Sequence, residues 1–325
     1  MTKTLFNLLR WTSLIGIFML MQSCASTPDS RPKALIDAEY YQQQGTNAFY
    51  NDEYSLAADQ FTRALKLYQS IDDHTGMLES HINLIETSIA IGNLKSARQQ
   101  LVSLNGLPGL TDRADLADLA DTGSNVNYRD RVILLRVKLL FNEQKYSDAI
   151  SELQPILPEF NQNDQLLKNN PHNLNILSSM ARFSVHTHST ESTIWLKRLE
   201  LAINQKKGPT DRYQALLLRL QASHKQYKGD FESSKKYINR ALTIYRRLAY
   251  RRGIAASLQQ LANLEVQQQH FEQADNLLQR ALNIHLWTLN KKATIKVLEE
   301  LIKVNNILGN DQAAEEYSEQ LNKLN

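Results

Sequence analysis

The stretch YSLAADQFTRAL, residues 54–65, decides the fold because its pattern returns along the chain. It sets a large apolar residue at Tyr54, a small one at Ala57, an apolar one at Phe61 and a small one at Ala64. FESSKKYINRAL (231–242) repeats the set as Phe231, Ser234, Ile238 and Ala241, and FEQADNLLQRAL (271–282) as Phe271, Ala274, Leu278 and Ala281. Leu94, Ala97, Leu101 and Leu104 keep the same offsets, as do Tyr146, Ala149, Leu153 and Ile156. Offsets of three, seven and ten residues fall on one face of an α-helix, so each set predicts a helix with a single packing stripe. The small second residue lets a neighbouring helix come close.

Ala57 to Ala97, Ser234 to Ala274 and Ala274 to Ala314 are each 40 residues, and a fixed period of this size means an array of repeats. Upstream of these helices lie further amphipathic stretches, such as GMLESHINLIETSIA from Gly76 and GIAASLQQLANLEVQQQ from Gly253; both glycines fall 21 residues before the small residue of the next helix. Each unit is therefore expected to be a helical hairpin. Asn51-Asp52, Gly92-Asn93, Gly229-Asp230 and Gly309-Asn310 supply turn chemistry between the arms. The longer spacing from Ala149 to Ser234 accommodates two units if STESTIWLKRL contributes Ser189, Ser192, Leu196 and Leu199, which makes seven hairpins. The last set, Asp311, Ala314, Ser318 and Leu321, is more polar, as befits a terminal unit with one solvated face. The expected fold class is all-α, a solenoid of about seven helix-turn-helix repeats over residues 35–325.

These hairpins resemble tetratricopeptide repeats, whose second helix carries A-x3-F-x2-A. The first unit matches at Gly45, Ala57, Phe61 and Ala64, and the sixth at Leu261, Ala262, Ala274, Leu278 and Ala281. The family's first-helix aromatic and closing proline are mostly missing, and a 40-residue period exceeds the standard 34 residues. Longer helices would absorb the difference. The resemblance implies a binding scaffold, with the first helices lining a concave surface. By register with it, the groove-facing candidates are Gln42, Asn83, Arg131, Lys138, Arg219, Gln259, Asn263 and Lys303.

The N-terminus carries an address. Lys3 and Arg10 precede an apolar stretch from Trp11 to Met21 and the small Ser23, which is the order of a secretory signal over residues 1–23. The stretch is too short for the ~20 residues of a spanning helix. Met21-Gln22-Ser23-Cys24 resembles the lipobox of bacterial lipoproteins, which implies lipid attachment at Cys24, the sole cysteine, followed by an irregular tether over residues 24–34. Cleavage after Ala25 is the alternative reading. Ala25 stands where an aspartate would signal inner-membrane retention, so the resemblance implies the periplasmic face of the outer membrane. One cysteine allows no internal disulfide, and the exported fold must rest on packing. The formal charge of +3 falls to about +1 without residues 1–23, which hold Lys3 and Arg10 and no acid; no nucleic-acid partner is expected.

Signals for chemistry are weak. His186, His188 and Glu191 crowd together, but histidines two apart point to different sides of a helix, so a surface turn is expected and no metal site. His81, His224, His270 and His285 stand singly and read as surface or partly buried residues. Asp112, Asp115, Asp118 and Asp121, in the long loop 105–127, lack the glycine and glutamate of a calcium loop. The cationic segment from Tyr245 to Gly253, with Lys235, Lys236 and Arg240 upstream, reads either as a contact for an anionic partner or as the solvated side of one long helix. Neither catalysis nor a cofactor is expected. The expected function is an adaptor that holds a protein or peptide partner in its groove during envelope assembly. The alternatives are a wall-enzyme regulator or a glycan binder, whose aromatic platforms would be Phe49, Tyr50, Phe141 and Tyr227.

Overall fold

The computed structural model describes residues 30–105, 128–160, 165, 170 and 172–324. Cys24, the signal segment 1–23, most of the tether and the loop carrying Asp112 to Asp121 lie outside the described residues. Among the described residues there are fourteen α-helices, which form seven hairpins. Hairpin 1 pairs α1 (Lys33–Tyr50) with α2 (Tyr54–Ser70), and hairpin 2 pairs α3 (His74–Ile91) with α4 (Leu94–Asn105). Hairpin 3 pairs α5 (Tyr128–Asn142) with α6 (Tyr146–Leu153), and hairpin 4 pairs α7 (Asn173–His186) with α8 (Ser192–Gln205). Then come α9 (Asp211–Tyr227) with α10 (Phe231–Arg247), α11 (Arg251–Gln267) with α12 (Phe271–Trp287), and α13 (Lys291–Leu308) with α14 (Asp311–Asn322).

The repeated stripe is the packing stripe. Tyr54, Ala57, Phe61 and Ala64 are all buried, as are Ser234, Ile238 and Ala241, and Ala274, Leu278 and Ala281. In hairpin 4, Ser192, Leu196 and Leu199 are buried as expected, whereas Ser189 lies in the turn before α8. Helix α6 stops earlier than its pattern predicts. Pro155 cannot donate a helical hydrogen bond, so Gln154–Ile156 tightens into a 3-10 turn and Ile156 is only half-buried.

No central core exists among the described residues. Apolar clusters overlap from hairpin to hairpin, one joining α1 to α3, another α3 to α5, a larger one α5 to α9, and others α9 to α12 and α11 to α14. Such sharing with nearest neighbours alone defines a solenoid.

The turn inside every hairpin uses one left-handed residue: Asp52, Gly92, Gln144, His188, Gly229, Gln269 and Gly309. Between hairpins, Asp72, Ala249 and Leu289 do the same. Ala249 (φ 49°) breaks the cationic segment into α10 and α11, which corrects the reading of one long helix.

The solenoid curls until its two halves touch. Arg251 Nη1 donates to the Asn51 carbonyl at 2.8 Å, Asn290 Nδ2 to the Ala90 carbonyl at 3.2 Å, and Lys292 Nζ to the Asn142 carbonyl at 2.9 Å. Carbonyls at or beside the turns of hairpins 1, 2 and 3 thus rest on the opening residues of hairpins 6 and 7. Gly92 permits the approach: a Cβ there would lie 2.6 Å from Lys292 Cβ.

Candidate binding bore

The first helices face inward, and their curl lines a half-open cavity of about 500 Å³. Phe49 comes from α1, Glu86 and Ile89 from α3, and Leu134, Lys138 and Phe141 from α5. Asn175, Ser178, Ser179, Arg182 and Phe183 come from α7, Arg212, Tyr213 and Arg219 from α9, and Arg252, Gly253 and Ala256 from α11. Tyr245 on α10, Tyr250 in the following turn, His285 on α12 and Asn290 also line it. The closing contacts therefore turn the expected open groove into a bore.

Two of the eight sequence candidates, Lys138 and Arg219, line this bore. Lys138 Nζ pairs with Glu86 Oε1 at 2.6 Å; burial alone would raise the Glu86 carboxyl, but Lys138 together with Arg131 and Arg252 outweighs it and holds it below its ordinary range. Arg219 donates to Gln260 Oε1 at 3.1 Å and to the Ala256 carbonyl at 3.2 Å. Three others join neighbouring first helices instead. Gln42 Oε1 accepts from Ser80 at 3.2 Å, Arg131 pairs with Glu79 at 2.8 Å, and Asn263 Oδ1 accepts from Gln226 at 2.8 Å. Gln259 Oε1 faces His285 Nε2 at 3.0 Å and does not itself line the bore. Asn83 is half-buried and Lys303 exposed, and neither lines the cavity. Much of the polar stripe on the first helices thus fastens one hairpin to the next.

The lining cations missed by sequence are Arg182 and Arg212, whereas Arg252, Tyr245 and Tyr250 belong to the cationic segment that the sequence singled out. Arg212 lies over the Tyr250 ring at 4.5 Å and the Tyr50 ring at 5.4 Å. Arg252 lies over the Tyr54 ring at 5.4 Å, beside the hydrogen bond from the Tyr54 hydroxyl to buried Asp52. Tyr54 and Tyr245 are buried, which pushes both phenols up. The cationic segment thus divides: Tyr250 and Arg252 turn into the bore, while Arg247 pairs with Asp211 outside it. Arg251 stacks on Trp287 at 3.8 Å.

The histidines resolve individually. His285 is buried and pushed down to about 4 by burial and by Arg252, and buried His81 is lowered by burial against its contact with Gln100. His186 ends α7 against Phe141 and Tyr146, and His188 stacks on Tyr227 at 3.8 Å, so the segment is a helix-to-helix turn. Among the described residues no group of three or more His, Cys, Asp or Glu could hold a metal, and no helix is long and apolar enough to cross a membrane. Of the aromatic platforms, Phe49 and Phe141 reach the bore, whereas Tyr50 and Tyr227 do not line it.

A tetratricopeptide repeat family model matches residues 213–286, which span most of hairpins 5 and 6. The fold is tetratricopeptide-like. Among solved structures, a Rap protein complexed with competence and sporulation factor superposes with a TM-score of 0.59 at 12% identity, over 88% of this chain and 76% of that one. The apo form of the quorum sensor NprR from B. thuringiensis aligns more loosely, with a TM-score of 0.46 at 12% identity, over 97% of this chain and 94% of the other. A signal transduction ATPase with a tetratricopeptide repeat sensor, from Pyrococcus horikoshii, has a TM-score of 0.49 at 15% identity, over 82% of this chain and 40% of that one. No curated protein matches the chain in sequence. A tetratricopeptide-like solenoid is a scaffold for protein interaction.

Proposed function

We propose that this chain is a binding protein without catalytic activity that holds a peptide segment of an envelope partner in its bore. Lipid at Cys24 would tether it to the periplasmic face of the outer membrane, where confinement raises the effective concentration of the bore for its partner. The half-open cavity, narrowed by the closing contacts, carries this reading. About 500 Å³ is a volume typical of pockets for small ligands, roughly 300–1,000 Å³, and suits a short segment better than a folded domain. Its mixture of aromatic, amide and guanidinium groups offers both apolar contact and hydrogen bonds to a peptide main chain.

The experiment is purification from the membrane fraction of wild-type protein and of Ser179→Trp, whose indole would fill the bore from α7. A partner protein recovered with the wild type and lost with Ser179→Trp, at unchanged helical circular dichroism, supports the reading; equal recovery overturns it. Replacing Cys24 by alanine tests the anchor, since the variant should leave the membrane fraction. Phe49 and Phe141 in the lining give a glycan-binding reading its support, and retention of the wild type on isolated wall sacculi, abolished by Ser179→Trp, would favour it over a protein partner.

A further inference from the structure

The charges around the bore are unequal. Its lining holds five cations, Lys138, Arg182, Arg212, Arg219 and Arg252, against one carboxylate, Glu86, which Lys138 already occupies at 2.6 Å. Among the described residues, none of the four guanidinium groups forms an ion pair with a carboxylate. Arg212 is held between tyrosine rings, Arg219 bonds neutral groups, and Arg252 lies over Tyr54. Arg182 is open to the solvent of the bore and lies over the Phe141 ring at 5.7 Å. The apolar walls that displace water around it and the like charge of Arg219 both press against its own charge. A guanidinium keeps its proton in proteins, so Arg182 remains charged and can relieve this opposition by meeting an anion. Each of the four guanidinium groups offers planar donors that match a carboxylate, and such charge-assisted bonds strengthen where water is partly excluded.

We propose that the bore selects acidic peptide segments, with Arg182 and Arg219 receiving a carboxylate from one side chain and Arg212 and Arg252 available to a second. This assignment rests on the reading of the bore as a peptide site. A peptide, as opposed to a free inorganic anion, fits the remaining lining. Asn175 Oδ1 accepts from the Tyr213 hydroxyl at 2.7 Å, which orients its amide NH2 group as a donor for a main-chain carbonyl, and the apolar walls suit side chains between the acids.

The test passes a random pentapeptide pool over immobilised full-length protein and reads the retained peptides by mass spectrometry. The expected result is at least a fivefold enrichment of Asp and Glu over their amides, weakened by added salt. The enrichment should be lost in Arg182→Gln/Arg219→Gln and kept in Lys236→Gln on the outer surface. Wild-type circular dichroism and thermal midpoint would show that the double variant is folded. Retention of peptides without acidic enrichment overturns the charge assignment and leaves the peptide reading standing. Retention no greater than that of Ser179→Trp overturns both. Displacement of the acidic peptides by an equal concentration of inorganic phosphate overturns the peptide as the source of the anion.

Discussion

Gly76 and Gly253 each follow a buried tyrosine by eight residues, Tyr68 and Tyr245, and each accepts that ring where a side chain would stand. A Cβ on Gly253 would lie 2.5 Å from Tyr245 Cδ1. Helix propensity favours alanine over glycine by ~1 kcal/mol, but overpacking a buried rigid ring costs about 1–3 kcal/mol, so the clash should win. Gly253→Ala is therefore expected to lose about 1–2 kcal/mol in denaturant unfolding despite its better propensity. The 21-residue register of these glycines was legible in the sequence, but the ring that fills the gap was not, because it comes from the preceding hairpin. At the corresponding place in hairpin 6 stands His285, followed eight residues later by Ala293. With its folded pKa lowered to about 4 from 6.5, His285 binds fewer protons in the folded state than in the unfolded state across that window. Its contribution is full above about pH 6.5 and falls as the pH drops towards 4, by up to ~3 kcal/mol. His285→Gln should flatten the pH dependence of unfolding between those values; an unchanged slope would refute the assignment.

At the scale of the helix, the boundaries follow turn residues whose conformations differ in cost. Gly229 and Gly309 take the left-handed conformation freely, whereas Gln269, with φ 62°, occupies the same place in hairpin 6 at a steric cost of ~1–2 kcal/mol. Glycine also loses more entropy on folding, which returns about 0.4–1 kcal/mol. Gln269→Gly should therefore stabilise the exposed turn by roughly 0.5–1 kcal/mol, read as a higher denaturant midpoint at unchanged slope. Glycine and asparagine revealed four of the hairpin turns in the sequence. Gln144, His188 and Gln269 carry no comparable signal, since the backbone bonds that close their turns, Lys145 to the Leu140 carbonyl, Ser189 to that of Ser184 and His270 to that of Glu265, hold a left-handed residue of any type, and Ala249 is why the Tyr245–Gly253 segment reads as continuous helix. Sequence also located Lys138 and Arg219 on the inner face, because helical register fixes direction. It could not separate inner residues that bind the neighbouring hairpin, such as Arg131, from those that reach the cavity.

Over the whole molecule, the decisive feature is closure, which joins residues 150 to 200 apart and has no local signature. An array of hairpins predicts a curved surface, but the number of contacts that bring the ends of the curve together depends on small rotations summed over all the repeats. Gly92→Trp would place an indole against Lys292, where even a Cβ has no room. The variant should enlarge the radius of gyration in small-angle scattering and weaken ligand retention, while each hairpin keeps its helical signal. An unchanged radius with unchanged retention would show that closure does not shape the site. The central claim is that the partner lies in the bore, and site-specific photo-crosslinking in living cells tests it most directly. A photoreactive residue replacing Ser179 inside the bore, compared with one replacing exposed Glu232 on α10, should capture a discrete partner segment from Ser179 alone. Capture of the same partner from Glu232, with none from Ser179, would contradict the account.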